Sequence, residues 1–445
     1  MIRLMSSFVV TFIAILSFFI ISGCGSSGGP SDSSLYALSP SSSKNISGTT
    51  GDSKSPVMAL DTTGDVYMAW MDKTPGHFEV YFSKSVDGGW TFSEPFSVFM
   101  TSGSSEDPRM VKDGRYGKIH LAWINTTQVP SRELVYSHSQ DKGGTFSRPR
   151  ALSNVDTSSV SEMTISIDRF SNLLLAWVED SVLYTSRSID GGETFSSSKK
   201  IGQDGSPVRL QAQADENGFF YLVWEDEATG DIYMATSNDS GLTFSKPANV
   251  SENSGKSEDP MLGIQGTDAY SLWTDSTSGN KDIYIRRISD PGASPVQNIS
   301  SSFPGDSEGP MAAFEGSMRV HAVWEEHTPG NSEIMYAKSS DGGGSFSGFK
   351  NLSNTDTPST HPLISVFSGI LRVLWVEEAS PSNKELFLST SIDSGTTFTD
   401  PVNISVTSGV SEGPLMGIDH SGIAHWVWVE GTPEAREIYH RQGEQ

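Results

Sequence analysis

Eight short apolar runs in this chain end in tryptophan. They are "DVYMAW" at Trp70, "KIHLAW" at Trp123, "NLLLAW" at Trp177 and "FFYLVW" at Trp224, then "AYSLW" at Trp273, "RVHAVW" at Trp324, "LRVLW" at Trp375 and "AHWVW" at Trp428. Successive members stand 53, 54, 47, 49, 51, 51 and 53 residues apart. A fixed period near 50 marks one supersecondary unit laid down repeatedly, each copy burying its apolar face against the next. Each unit keeps one order of parts. A proline-containing segment such as "SPVMALD" or "GPMAAFE" comes first, then the tryptophan strand, then a strand such as "EVYFSKS", a glycine-rich turn, and a last strand ending like "VNIS". Four short strands per unit with no helical periodicity predict an all-β fold, a β-propeller of four-stranded blades. Eight tryptophans predict eight blades, with seven blades and a stray unit as the alternative. Standing at fixed strand positions, the tryptophans read as core.

The ends of the repeat predict how the ring closes. "NIS" ends units at Asn298–Ser300 and Asn403–Ser405, yet it also occurs at Asn45–Ser47, before the first unit. The last unit stops after its third strand, "REIYHRQ". An N-terminal strand is therefore expected to complete the last blade and to hide an open sheet edge. The propeller is placed at residues 45–441, with 442–445 as a tail.

Ahead of it, Arg3 and the apolar run "FVVTFIAILSFFII" have the form of an export signal over residues 1–23. The run ends in "ISGC", and Cys24 is the only cysteine, so no intramolecular disulfide can form. Ile21–Cys24 resembles the lipobox of bacterial lipoproteins, which implies cleavage before Cys24 and its lipidation. Gly25 follows rather than aspartate; by resemblance to enterobacterial sorting this implies the outer membrane. Residues 24–44 are Ser/Gly-rich and read as a flexible tether. The formal net charge of −24 argues against nucleic acid as a partner.

Six near-copies of one octapeptide fall between third and fourth strands: "SVDGGWTF", "SQDKGGTF", "SIDGGETF", "SNDSGLTF", "SSDGGGSF" and "SIDSGTTF". Their aspartates are Asp87, Asp141, Asp190, Asp239, Asp341 and Asp393. Aspartate accepts backbone N–H groups and glycine takes left-handed angles, so the motif reads as a tight turn. The pattern S-x-D-x-G-x-T-F resembles the Asp-box (BNR) repeat of the sialidase superfamily. That resemblance implies a structural role for the boxes, away from any active site. Strand parity agrees, since turns between strands one and two and between three and four share one face.

Sialidase catalysis, by the same resemblance, needs three arginines, the first in an "RIP"-type motif, with a tyrosine nucleophile, a glutamate and an acidic aspartate. No "RIP" occurs, and the first blade opens with "KSPVMALD". Arg109 and Arg209 lie on predicted innermost strands but make no triad. Tyr81, Tyr184, Tyr233, Tyr284 and Tyr439 recur at one blade position, so none stands out.

The opposite face is acidic in a pattern. Two residues after the tryptophan stand Asp72, Glu179, Asp226, Asp275, Glu326, Glu377 and Glu430, with Asn125 the exception. The segments opening the blades carry Glu106 and Asp107, Glu258 and Asp259, Glu308, and Glu412. Solvated surface charge, a binding face for a basic partner, calcium sites and a paired-carboxylate glycosidase are competing readings. His120, His321 and His425 each stand three residues before a tryptophan and read as packed rings reaching one polar partner. The expected function is a lipid-anchored envelope propeller that binds or scaffolds a protein or a glycan. The alternative is a sialidase-like exo-glycosidase using carboxylates of the face opposite the octapeptides.

Overall fold

The computed structural model describes residues 42–443 apart from 127–130, 154–158, 203–204, 291, 293, 329, 381 and 408. The export signal, Cys24 and nearly all of the tether lie outside the described residues. The chain forms eight separate four-stranded antiparallel sheets and, among the described residues, no helix. Seven sheets run in chain order. The eighth takes Ser411–Ile418, Ala424–Thr432 and Ala435–Gln442, then adds Lys44–Asn45 from the other end of the chain. Lys44 pairs with His440 and Asn45 with Tyr439. Asp52 reinforces this closure with a two-pronged ion pair to Arg436, at 2.8 and 2.6 Å. The protein is an eight-bladed propeller, and the first strand of each blade packs beside that of the next all the way round.

The core is distributed between the blades. Each of the eight buried apolar clusters joins two neighbouring blades, and one of them, with Trp70, Leu415 and Val427, seals the last blade to the first. The eight repeat tryptophans are at most 5% exposed. Each hides roughly 150–250 Å², an upper bound of about 4–6 kcal/mol per ring. The recurring tyrosines stack on them, with centroids 5.9 Å apart for Trp177 and Tyr184 and 6.1 Å for Trp224 and Tyr233.

The octapeptides are built alike. In "SQDKGGTF", Asp141 Oδ1 accepts the Ser139 hydroxyl at 2.7 Å and the Thr145 N–H at 2.8 Å, and Oδ2 accepts the Thr145 hydroxyl at 2.8 Å. Ser139 Oγ in turn accepts the Gly143 N–H at 2.8 Å. These hydrogen bonds favour the carboxylate and hold Asp141 at about 2. The other five aspartates are likewise held at about 2.

The turns also staple blade to blade. A Cβ on Gly395 would lie 1.7 Å from Tyr336 Oη of the preceding blade, and one on Gly192 would lie 1.9 Å from Tyr136 Oη. Those hydroxyls are the partners of the buried histidines, His321 Nδ1 at 2.8 Å and His120 Nδ1 at 2.6 Å. His425 reaches His440 at 3.1 Å. All three rings are fully buried, as their spacing before tryptophan predicts.

Two predictions follow from these turns. Gly395→Ala meets both the hydroxyl of Tyr336 and a φ of +78°, and should destabilise the ring by about 3 kcal/mol in urea unfolding. Gly117→Ala, at φ +69° with open space around it, should cost only about 1 kcal/mol. Equal losses would remove the close packing as the cause. The octapeptide aspartates titrate in the fold below their ordinary value of 3.8, so their stabilisation is present above pH 4 and is lost as pH falls through about 2. Asp141→Asn should therefore melt below wild type at pH 6, with the gap closing by pH 2.

Candidate functional site at the blade-opening face

The chain enters each blade on the face away from the octapeptides, and there every first strand breaks register against the second. In seven blades the third residue of the opening segment is left-handed. These are Ser55, Asp107, Arg209, Asp259, Gly309, His361 and Gly413, with φ between 53 and 62°. A bulge with a left-handed residue bends the strand and re-aims its side chains. It also accommodates the following proline, present in six blades, where a regular ladder would lose a donor. Five of the seven are not glycine, and such backbone strain persists only where the surroundings enforce it.

The carboxylates expected on this face separate into two groups. Those two residues beyond the tryptophan mostly turn inward. Asp72, Asp275, Glu326 and Glu377 are at most 7% exposed. Each accepts the hydroxyl of the serine that opens its own blade: Ser53 at 2.8 Å, and Ser257, Ser307 and Ser359 at 2.6 Å. Asp72, Glu179, Asp275, Glu377 and Glu430 also accept the indole N–H of their tryptophan at 2.9–3.3 Å. Asp226 instead accepts backbone N–H groups of its own turn. Of the set named from the sequence as a candidate binding face, Asp72, Asp275, Glu326 and Glu377 thus have oxygens already engaged by the serine that opens their own blade.

The blade-opening carboxylates remain accessible and are joined by cations. Arg132 reaches Glu106 at 2.7 Å, and Arg109 reaches Asp107 at 2.8 Å. Arg209 binds the fully buried Glu225 at 2.5 Å and Asp259 at 2.8 Å. Lys281 bridges Glu258 and Glu308 at 2.5 and 2.6 Å, Lys256 adds a second bond to Glu258 at 2.5 Å, and His327 approaches Glu308 at 3.6 Å. One ionic chain thus runs across blades 4 to 6. Both guanidiniums named from the sequence are already held by carboxylates of this chain. Glu412 lies on the same face, where its charge adds a small upward push to Arg436, raised mainly by Asp52, and to His361, which burial lowers.

Two glutamates that the sequence reading passed over complete the group. The residue directly after the tryptophan is Met71, Ile124, Val178, Thr274, Val376 or Val429 in six blades, but Glu225 and Glu325 in blades 4 and 6. That position faces the next blade, and each glutamate accepts the N–H of a left-handed residue there. Asp259 donates to Glu225 at 3.2 Å, and His361 donates to Glu325 at 2.7 Å. Comparing this one position across the units is the signal that finds them. Burial pushes Glu325 up to about 7; the His361 N–H opposes the shift, while the charges of Glu308, Glu378 and Asp259 add to it. Burial also raises Glu225 and Asp259, and Arg209 only partly offsets this. Glu258 moves the other way, because Lys256 and Lys281 outweigh its burial. The raised carboxyl of Glu325 therefore sits in the field of Glu308, Glu378 and Asp259. Among the described residues no three His, Cys, Asp or Glu side chains gather as a metal-holding group.

No protein-family model matches the chain, and no curated protein sequence does. Solved structures similar to it include an ulvan lyase, a polysaccharide lyase, at 12% identity over 78% of this chain and 93% of that one, with a TM-score of 0.48. Another is the NanB sialidase of Streptococcus pneumoniae, at 13% identity over 90% and 69%, with a TM-score of 0.39. A third is a protein of unknown function from Dyadobacter fermentans, at 14% identity over 68% and 99%, with a TM-score of 0.40. Nothing about the activity of this chain follows from likenesses so distant.

Proposed function

We propose that the chain is a lipid-anchored envelope propeller that binds a glycan at its blade-opening face, over blades 4 to 7. The observation that supports this reading is the alternation of donors and acceptors there. Glu258, Lys281 and Glu308 bridge two blades, with the protonatable Glu325 close by. Hydroxyl-rich ligands can both donate to and accept from such an array, and charge-assisted hydrogen bonds are the strong ones. A second reading, glycoside cleavage, is favoured by Glu325 alone. A carboxyl poised near neutrality suits a general acid, and a neighbouring carboxylate suits its partner.

All strands of the ring lie between Lys44 and Gln442, so a chain starting at residue 42 carries the whole propeller. Glycan-array and calorimetric binding by this chain should weaken about tenfold in Glu308→Gln, the loss of one charge-assisted hydrogen bond. Retention of a protein partner with no glycan bound would overturn the glycan reading. Chromogenic glycosides, including a sialoside, with calcium and with chelator, test the second reading. Turnover abolished by Glu325→Gln would establish cleavage.

The proton on Glu325 can be tested without any ligand. Its value in the fold lies above the ordinary 4.5, so its stabilisation is complete below about pH 4.5 and is lost as pH rises through about 7. Wild type should lose about 2 kcal/mol between pH 5 and 8, a loss that Glu325→Gln does not share. Parallel stability profiles would place the titration elsewhere.

A further inference from the structure

The face that carries the octapeptides has its own chemistry. Among the described residues, fourteen large hydrophobic side chains stand exposed, and nine of them lie on this face. Val86, Trp90, Ile189, Leu242 and Ile392 occupy variable positions of the octapeptides, while Tyr116, Phe170, Phe219 and Met318 cap the hairpins between first and second strands. Val86 is 67% exposed, Ile189 63% and Trp90 56%, in turns whose polar groups are otherwise satisfied locally. Nine of the fourteen on one side is an uneven distribution that singles this face out.

The basic groups at these tips suit one partner. The guanidinium of Arg115 lies 5.1 Å from the ring of Tyr116, and that of Arg169 lies 4.6 Å from Phe170. Lys44 stands 5.3 Å over Trp90 and donates to the carbonyls of Gly89 and Trp90. Aromatic rings paired with cations at the tips of turns are what settles at the boundary between headgroups and acyl chains. Both faces carry carboxylates, but those of the octapeptides accept hydrogen bonds within their own turns, so the apolar tips and their paired cations are what distinguish this face.

The direction of the chain singles out the same face. Ala435–Gln442 runs toward the octapeptides, because Gln442 and His440 meet Gly89. Lys44–Asn45 is antiparallel to it, so residues 42 and 43 approach the ring from the octapeptide side. Between them and Cys24 lie only residues 25–41, rich in serine and glycine.

We propose that the octapeptide face docks on the phospholipid bilayer in which Cys24 is anchored, so that the blade-opening face points away from it. The proposal rests on the lipid-anchor reading. Trp90 makes it measurable, since the other nine tryptophans are at most 5% exposed. The acylated full chain is reconstituted in vesicles of phosphatidylethanolamine and phosphatidylglycerol, with and without brominated acyl chains. Brominated lipid should quench emission in wild type, and the quenched component should be missing in Trp90→Phe. The double variant Tyr116→Glu, Ile189→Glu should lose most of the quenching with unchanged melting, whereas Met100→Glu, in the loop leading to the opposite face, should keep it. Acylated, vesicle-bound chain whose emission brominated lipid leaves unchanged would overturn the docking and leave the anchor standing. Mature chain without acyl groups on Cys24 would overturn the anchor and the docking together.

Discussion

Closure of this ring turns on a strand of two residues. Lys44–Asn45 is the shortest kind of strand, yet it supplies the outer edge of the eighth blade and brings both ends of the ring into one sheet. Around it, Ile46 donates to the Ile438 carbonyl at 2.8 Å, Ser47 bonds Glu437, and Asp52 bonds Arg436. Because the core consists of eight wedges between blades, each wedge is complete only when both of its blades are in place. An open ring would expose the wedge of Trp70, Val427 and Val429. Closure therefore conditions the stability of every blade, including those far from the seam.

The architecture was legible in the sequence because propeller blades are periodic in exactly the features that packing demands. Tryptophan marks the strand that packs on the preceding blade, serine and aspartate mark the turn, and the displaced "NIS" marks the seam. The parity of four strands then assigns each loop to a face. The site was less legible for a physical reason. A carboxylate two residues past a tryptophan looks exposed at a strand end, but Ser53, Ser257, Ser307 and Ser359 fold over those positions from the same blade. The sequence offers no sign of this beyond a serine 18 or 19 residues upstream. The left-handed residues are equally hidden, because serine, arginine and histidine do not advertise positive φ as glycine does.

Much of the acidity of this protein is consequently structural. Carboxylates at the third-strand openings, such as Asp282 and Glu333, are satisfied by the serines of the fourth strands, just as those near the tryptophans are satisfied by the first. Such an oxygen contributes to net charge but has little left to offer a ligand. What distinguishes the candidate site is therefore less its charge than its departures from the repeat.

Those departures share one geometry. Glu225 and Glu325 replace apolar residues or threonine at a position that faces the next blade, and each is answered by a left-handed residue whose N–H points back at it. Burying a carboxyl between blades is unfavourable, and one N–H does not repay it for Glu325, which accordingly holds its proton up to about 7. In blade 4 the same burial is met by Arg209, itself left-handed and also bound to Asp259. Two blades thus solve one desolvation problem differently, one with a cation and one with a proton. A ring built only for stability has no need of either glutamate, since six other blades pack valine, isoleucine, methionine or threonine there. Both stand on the face carrying the ionic chain, and Glu325, in the field of Glu308 and Glu378, is the departure from the repeat on which the proposed site rests.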